Sequence, residues 1–326
     1  MKLASVNQIK EIDLLSTSKY KIPSKTRMEI AGFKCFEIIK KEYESKNALI
    51  VVGTGNNGGD GLVVAKYLRI YGFKCEILII NNSKKRSPDY LENLDIVKKL
   101  KIKIIRTSKG LNLKKFDLIV DALFGVGLNR GLTKEISNLI NRINSTKIPI
   151  CSLDVPSGLN ADTGSTYGAC MNSDLTITFD FVKPGLLTDP GYKYSKKIYL
   201  VKLATPIELS NKLNNFFVDD NFFNNFFKAR NKSANKGSFG HVLVIGGSKN
   251  MSGAVSIAGL SAYKSGCGLV TLCIPKCISN ALKKKFPESI FIEIPNSSDG
   301  STMNEELFIT EIKKRLTKKP SAVVIG

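Results

Sequence analysis

Two kinds of apolar pattern alternate along the chain. Short, near-continuous apolar runs occupy residues 48–52, 75–80, 102–106, 116–120, 148–153, 175–181 and 198–203, as strands buried in a parallel sheet require. Between or before them, residues 5–16, 24–43, 62–71, 90–100 and 133–143 space their apolar side chains at three and four, the signature of helices with one core-facing stripe. Val6, Ile9, Ile12 and Leu15 make such a stripe, and Ser5 with Gln8 has capping-box spacing. The pattern predicts an α/β domain with a parallel sheet that closes near Thr205. Residues 206–235, a tract biased to Asn, Phe and Lys, then read as a partly helical linker. A second α/β series opens with HVLVIGG after Gly240. It continues with strands at 269–275 and 290–294 between helices at 252–265, 277–286 and 305–316, and SAVVIG ends the sequence. A strand at the last residue, lacking the loop it should deliver, leads us to expect an incomplete second domain.

The sharpest break in pattern is ALIVVGTGNNGGDG, residues 48–61, where an apolar run gives way to five glycines, two asparagines and an aspartate. With the helix and strand that follow, this is a strand, glycine loop, helix and strand, a unit that presents backbone N–H groups to phosphate. Gly53, Gly55 and Gly58 formally match the dinucleotide fingerprint G-x-G-x-x-G, but the second strand lacks the ribose-binding acid at its end. It runs instead into Asn81, Asn82, Ser83, Lys84, Lys85 and Arg86. Asn56, Asn57 and Asp60 place oxygen-bearing side chains in the loop, which suits a ligand or cation as well as plain turn geometry. Two more strands end the same way, one at Asp121 before ALFGVGLNRG and one at Asp154 before VPSGLNADTG. Each aspartate alone could be a turn cap, but three such loops at the carboxyl edge of one sheet predict a site.

Composition narrows the function. The 326 residues suffice for two domains, and 43% hydrophobic content supports sizeable cores. Seven cysteines, an odd number without C-x-x-C or a Cys/His cluster, read as reduced buried thiols of a cytoplasmic protein. The net charge of +21 comes from scattered lysine, with only eight of 49 basic residues Arg. That argues for attraction of an anionic small molecule rather than nucleic acid. No apolar stretch is long enough for a signal core or membrane span, so no membrane partner is expected. The two helices before the first strand would pack over the sheet or form an oligomer face, and a homo-oligomer is expected. His241, alone of its kind and without acids or thiols at ligand spacing, reads as structural.

Taken together, GTGNNGGDG (53–61), DALFGVGLNRG (121–131), DVPSG (154–158) and KPG (183–185) resemble the NAD(P)H-hydrate epimerase domain, the N-terminal YjeF-type domain. KGSFGHVLVIGGSKNMSGA (236–254) with GCGLVTLCIP (266–275) is similar to the opening of the ADP-dependent NAD(P)H-hydrate dehydratase domain, which is ribokinase-like. The resemblance implies a Rossmann-like three-layer α/β/α epimerase domain over residues 1–205, a linker over 206–235 and an incomplete ribokinase-like domain over 236–326. It implies an isomerase acting on the R and S hydrates of NADH and NADPH, small-molecule substrates, in cofactor repair. It assigns the hydrate to Asn56, Asn57, Gly58, Gly59 and Asp60, to Gly125, Val126, Gly127, Leu128, Asn129, Arg130 and Gly131, and to Asp154. It assigns K+ to Asn57, Asp121 and Ser157. Inverting a hydrated ring carbon needs proton movement, for which Asp154 is the natural acid or base and Lys183 a helper. Thr54 stands where the family has Pro, and MEIAG (28–32) where it has a MENAG-like segment; neither removes a ligand-type side chain. In the second domain only Ala254 carries over as a substrate contact. ADP or ATP with Mg2+ is expected only if that domain is complete, and residues 1–326 are not expected to dehydrate the hydrate.

Two other readings compete. An NADP-dependent oxidoreductase would use Lys84, Lys85 and Arg86 for a 2′-phosphate, but no hydride-transfer acid or base is evident. A non-catalytic dinucleotide-binding module would not need Asn57, Asp121 and Asp154 together.

Overall fold

In the computed structural model, which describes residues 1–44, 47–80, 86–226, 230–316 and 318–326, the chain separates into two units, Met1–Phe226 and Phe227–Gly326. The first contains, in order, β1 (Lys2–Leu3), α1 (Val6–Ser18), α2 (Ser24–Glu42), β2 (Asn47–Val52), α3 (Asn56–Ile70), β3 (Lys74–Ile79), α4 (Pro88–Lys99), β4 (Lys103–Ile105), β5 (Leu118–Ala122) and α5 (Lys134–Asn144). It continues with β6 (Ile150–Leu153), β7 (Leu175–Phe179), β8 (Ile198–Val201), α6 (Ile207–Ser210), β9 (Asn215–Phe216) and α7 (Asp220–Phe226). Seven strands form one sheet in the order β4-β3-β2-β5-β6-β7-β8, every pair parallel.

The unbroken apolar runs follow from burial on both faces. Along β2, Ala48, Ile50 and Val52 face a core shared with α2, α3 and α4, while Leu49 and Val51 face a second core built on α5. This is the three-layer α/β/α arrangement expected from the sequence. The capping box is present: Gln8 N–H donates to Ser5 Oγ, and Ser5 N–H to Gln8 Oε1 at 2.9 Å.

The most instructive difference lies after β2. The sequence places the helix start at residue 62 and treats NNGGDG as loop, yet α3 begins at Asn56. Glycine disfavours a helix interior by about 1 kcal/mol relative to Ala, but here close packing decides. A Cβ on Gly58 would stand 2.1 Å from the Gly53 carbonyl oxygen, and one on Gly61 2.5 Å from Ala122 Cβ. The glycines let the first turns of α3 lie directly on the strand ends. Residues 206–226, read as linker, contribute Leu209 and Leu213 to a core with Ala4, Ile12 and Phe181, and β9 pairs antiparallel with β1.

The second unit holds β10 (His241–Ile245), α8 (Gly253–Lys264), β11 (Leu269–Pro275), α9 (Lys276–Lys285), β12 (Ile290–Ile294), α10 (Glu305–Arg315) and β13 (Ala322–Ile325). Its four strands are parallel in the order β12-β11-β10-β13. Cores form on both faces, with α8 and α9 on one and α10 on the other. His241 is buried with Nε2 2.7 Å from Thr271 Oγ1, a packing role. All seven cysteines are unpaired, and no described helix is long and apolar enough to cross a membrane.

Candidate active site

The carboxyl ends of β2, β5, β6 and β7 deliver the chemistry. Asp121, within β5, is fully buried. It accepts from Leu123 N–H (3.3 Å) and Ser157 Oγ (2.6 Å) on one oxygen, and from Ser157 N–H (2.8 Å) and Ser152 Oγ (2.7 Å) on the other. Burial pushes its pKa up, and these four donors pull it back. A backbone N–H donates to each of its oxygens, Leu123 to one and Ser157 to the other, which favours the carboxylate against the upward push of burial. Among the described residues no Lys, Arg or His forms an ion pair with it, which leaves a buried charge without a cation, a costly state.

Beside it, Asn57 in the first turn of α3 donates Nδ2–H to Leu153 O at 3.2 Å, while its Oδ1 is buried without a partner. Ser157 Oγ accepts from Phe124 N–H at 2.8 Å. An orphaned amide oxygen, an uncompensated carboxylate and a hydroxyl are the donors a hard monovalent cation takes. The residues fit K+. Among the described residues no group of three or more His, Cys, Asp or Glu is placed to hold a metal.

Asp154 follows β6 in the left-handed region, φ 68°. Its N–H donates to Ile177 O at 2.7 Å, and Val155 N–H reaches back to Leu153 O at 2.9 Å. This is a γ-turn, a strained shape found where a side chain must be aimed. Oδ2 accepts from Val126 N–H at 3.1 Å, and Oδ1 lies 2.6 Å from Lys183 Nζ. Lys183, 1% exposed, also donates to Thr178 Oγ1 (2.9 Å) and Phe179 O (3.0 Å). All three ammonium protons are therefore committed. Lys183 is anchored to β7 and orients Asp154, with nothing left to donate to a substrate.

A cavity of about 530 Å³ opens over these strand ends. Of the residues singled out from sequence, Asn56, Asn57, Asp60, Gly125, Val126, Gly127, Leu128, Asn129, Arg130, Asp154 and Lys183 line it. Gly58, Gly59, Asp121 and Ser157 lie outside its lining, Gly131 lines a neighbouring cavity, and Ala254 sits in the first turn of α8 in the second unit. Lys84 and Lys85 lie outside the described residues. Asp60 is 9% exposed and has no side-chain hydrogen bond among the described residues. Burial, and after it the charges of Asp154 and Asp13, hold its carboxyl well above the usual range.

Sequence reading missed Asp13, Arg27 and Asp180, which also line the cavity. Arg27 donates Nη1–H to Asp13 Oδ1 at 2.5 Å, linking α2 to α1, and no spacing within one helix could reveal a pair between two. Asp180 had a signal. It ends β7 at φ 56° and repeats the turn at Asp154, with Asp180 N–H to Val201 O at 2.7 Å. The apolar Phe181 beyond it let the strand be read two residues too long.

The sequence profile of the YjeF-related protein N-terminus matches residues 24–185, and that of NAD(P)H-hydrate dehydratase matches residues 242–326. The NAD(P)H-hydrate epimerase of Lentilactobacillus buchneri is 38% identical over 198 residues, covering 60% of this chain and 91% of that protein. The bifunctional NAD(P)H-hydrate repair enzyme Nnr of Moorella thermoacetica is 31% identical over 320 residues, 94% of this chain and 60% of that enzyme. The chain thus spans about three fifths of the length of such bifunctional relatives. The crystal structure of yeast ynu0 shares the fold, with TM-score 0.58 at 23% identity over 68% of this chain and 97% of that one. The chain belongs to the NAD(P)H-hydrate epimerase family.

Proposed function

We propose that residues 1–226 interconvert the R and S hydrates of NADH and NADPH, with Asp154 as the group that moves the proton. The hydrate carries a hydroxyl on the ring carbon beside the ring nitrogen. Inverting that carbon requires the hydroxyl to leave as water while the nitrogen lone pair fills the vacated bond, and water to add to the opposite face. One proton is delivered and one removed. Asp154, aimed by its γ-turn and held by Lys183 and Val126, is the acceptor for the returning water. Asp60, buried and without a hydrogen-bond partner among the described residues, is the donor to the departing hydroxyl. A carboxylate and a neutral carboxyl in one cavity is how a single site runs acid and base chemistry together.

Asn57 Oδ1, the Asp121 carboxylate and Ser157 Oγ would hold K+, whose charge would offset buried Asp121 and fix the start of α3 against the loop after β5. For the second unit we propose a part in ADP- or ATP-dependent dehydration of the S hydrate with Mg2+, within the longer bifunctional arrangement of its relatives, with Ala254 as a substrate contact. Unpaired thiols and a soluble cofactor as substrate suit the cytoplasm.

The observation that carries the reading is the Asp154–Lys183 pair, strained and buried at the cavity wall. Its test supplies the R hydrate of NADH together with a dehydratase that consumes only the S form. Rapid and complete consumption on adding this chain is expected; consumption no faster than without it would overturn the reading.

A further inference from the structure

We propose that a second cavity of the first unit, about 580 Å³ in volume, seats the adenosine half of the dinucleotide, so that the substrate straddles the 124–130 segment with its hydrated ring at Asp154. The inference rests on the epimerase reading and adds where the rest of the molecule lies.

The second cavity lies beside the catalytic one. It opens at the ends of β3 and β4 and the start of α5, whereas the catalytic cavity opens at β2, β6 and β7. The two share Phe124, Leu128 and Arg130 as lining, so one stretch of chain walls both. The catalytic cavity takes in the crevice where the sheet changes direction, since the loops after β2 and β5 both line it. From β2 the chain steps outward to β3 and β4, then returns to β5 on the other side of β2. Ligands of open parallel sheets lie at such a reversal, and the first turn of α3, whose N-cap Gly55 makes no side-chain cap hydrogen bond, stands there as a place for the pyrophosphate. A molecule made of two nucleosides joined by pyrophosphate then has one half for each cavity.

Ile80, Leu132, Ile136 and Leu139 give an aliphatic floor for a flat base, and Thr107 and Ser108 give hydroxyls at the rim. That rim is held in place, since Arg142 Nη2–H donates to Ser108 O at 2.8 Å. Among the described lining residues Arg106 and Arg130 outweigh the one acid, Glu135. An enzyme that must turn over a scarce damaged cofactor gains from holding the half that does not react.

The test compares hydrated NADH with the hydrate of reduced nicotinamide mononucleotide, which lacks the adenosine half, and uses 5′-AMP and adenosine 2′,5′-bisphosphate as probes. For the unaltered chain, KM should be lower for the dinucleotide, and AMP should compete with it. Thr107→Trp, which fills the cavity from its exposed rim, should collapse the KM ratio of the two substrates by roughly tenfold. Arg106→Glu should weaken the bisphosphate more than AMP, because it removes a charge partner for the 2′-phosphate. Equal KM values for the two substrates, or AMP binding by calorimetry that neither variant changes, would overturn the inference while leaving the epimerase reading intact. Failure to epimerise either substrate would instead sink the epimerase reading, and the calorimetric comparison of AMP on the two variants would still decide the cavity.

Discussion

Removing both partners of the Asp154–Lys183 pair should cost less than the two single removals added together. Lys183→Met leaves the Asp154 carboxylate buried without its cation and orphans the acceptors at Thr178 Oγ1 and Phe179 O. Asp154→Asn leaves a 1% exposed ammonium facing a neutral amide. Breaking a buried pair from one side costs about 3–5 kcal/mol, whereas replacing both partners by groups of similar volume is often close to neutral. Each single variant should therefore lose about 3–5 kcal/mol. The double variant should lose less than the sum of the two, with a coupling energy on the order of 2–3 kcal/mol. With total stability of about 5–15 kcal/mol, the single variants remain folded but marginal. Urea unfolding followed by circular dichroism, fitted with separate transitions for the two units, provides the measurement. Additive losses, or single losses under about 1 kcal/mol, would refute the view that Lys183 is a buried anchor for Asp154.

Four further outcomes follow from the geometry. Gly58→Ala should destabilise by about 2 kcal/mol or more, because its Cβ meets the rigid Gly53 carbonyl at 2.1 Å. Gly59→Ala should stay within about 1 kcal/mol, since its Cβ meets only the flexible end of Met28 and the helix gains from Ala; both are read by thermal unfolding. Asp60→Asn should raise Tm at neutral pH and converge with the parent in acid. The raised carboxyl of folded Asp60 binds its proton more tightly than the unfolded chain does, so its contribution is present below the ordinary carboxylate range and lost as pH rises; calorimetry at pH 4 and pH 8 tests this, and a constant difference would argue against it. KCl in place of LiCl should raise Tm of the parent chain without substrate, and Asn57→Ala should abolish that shift if its orphaned oxygen holds the ion.

The parallel strands and the burial of both faces of the sheet were legible because strands buried on two sides leave continuous apolar runs, as at Leu49–Val52 against alternate cores. The strand-end aspartates at 121 and 154 stood out by position, since each follows such a run; alone each could cap a turn, and only three loops at one sheet edge pointed to a site. The start of α3 was not, because local propensity counts glycine against a helix while the packing of Gly58 on Gly53 depends on contacts the sequence does not show. Lys183 was found as a residue but not as an anchor, since its three acceptors come from Asp154, Thr178 and Phe179 on separate segments. Arg27 and Asp13 were hidden among the surface charges, and Leu209 and Leu213 among the Asn-rich residues whose composition suggested a linker.

The central claim is that Asp154 moves the proton that inverts the hydrated carbon. Its most direct test starts from pure R hydrate of NADH and follows the appearance of the S form by chromatography, with the parent chain and with Asp154→Asn at equal folded concentration. The account predicts rapid approach to the R/S equilibrium with the parent chain and a rate lower by about 10²-fold or more with the variant. Equal rates for the two would contradict it.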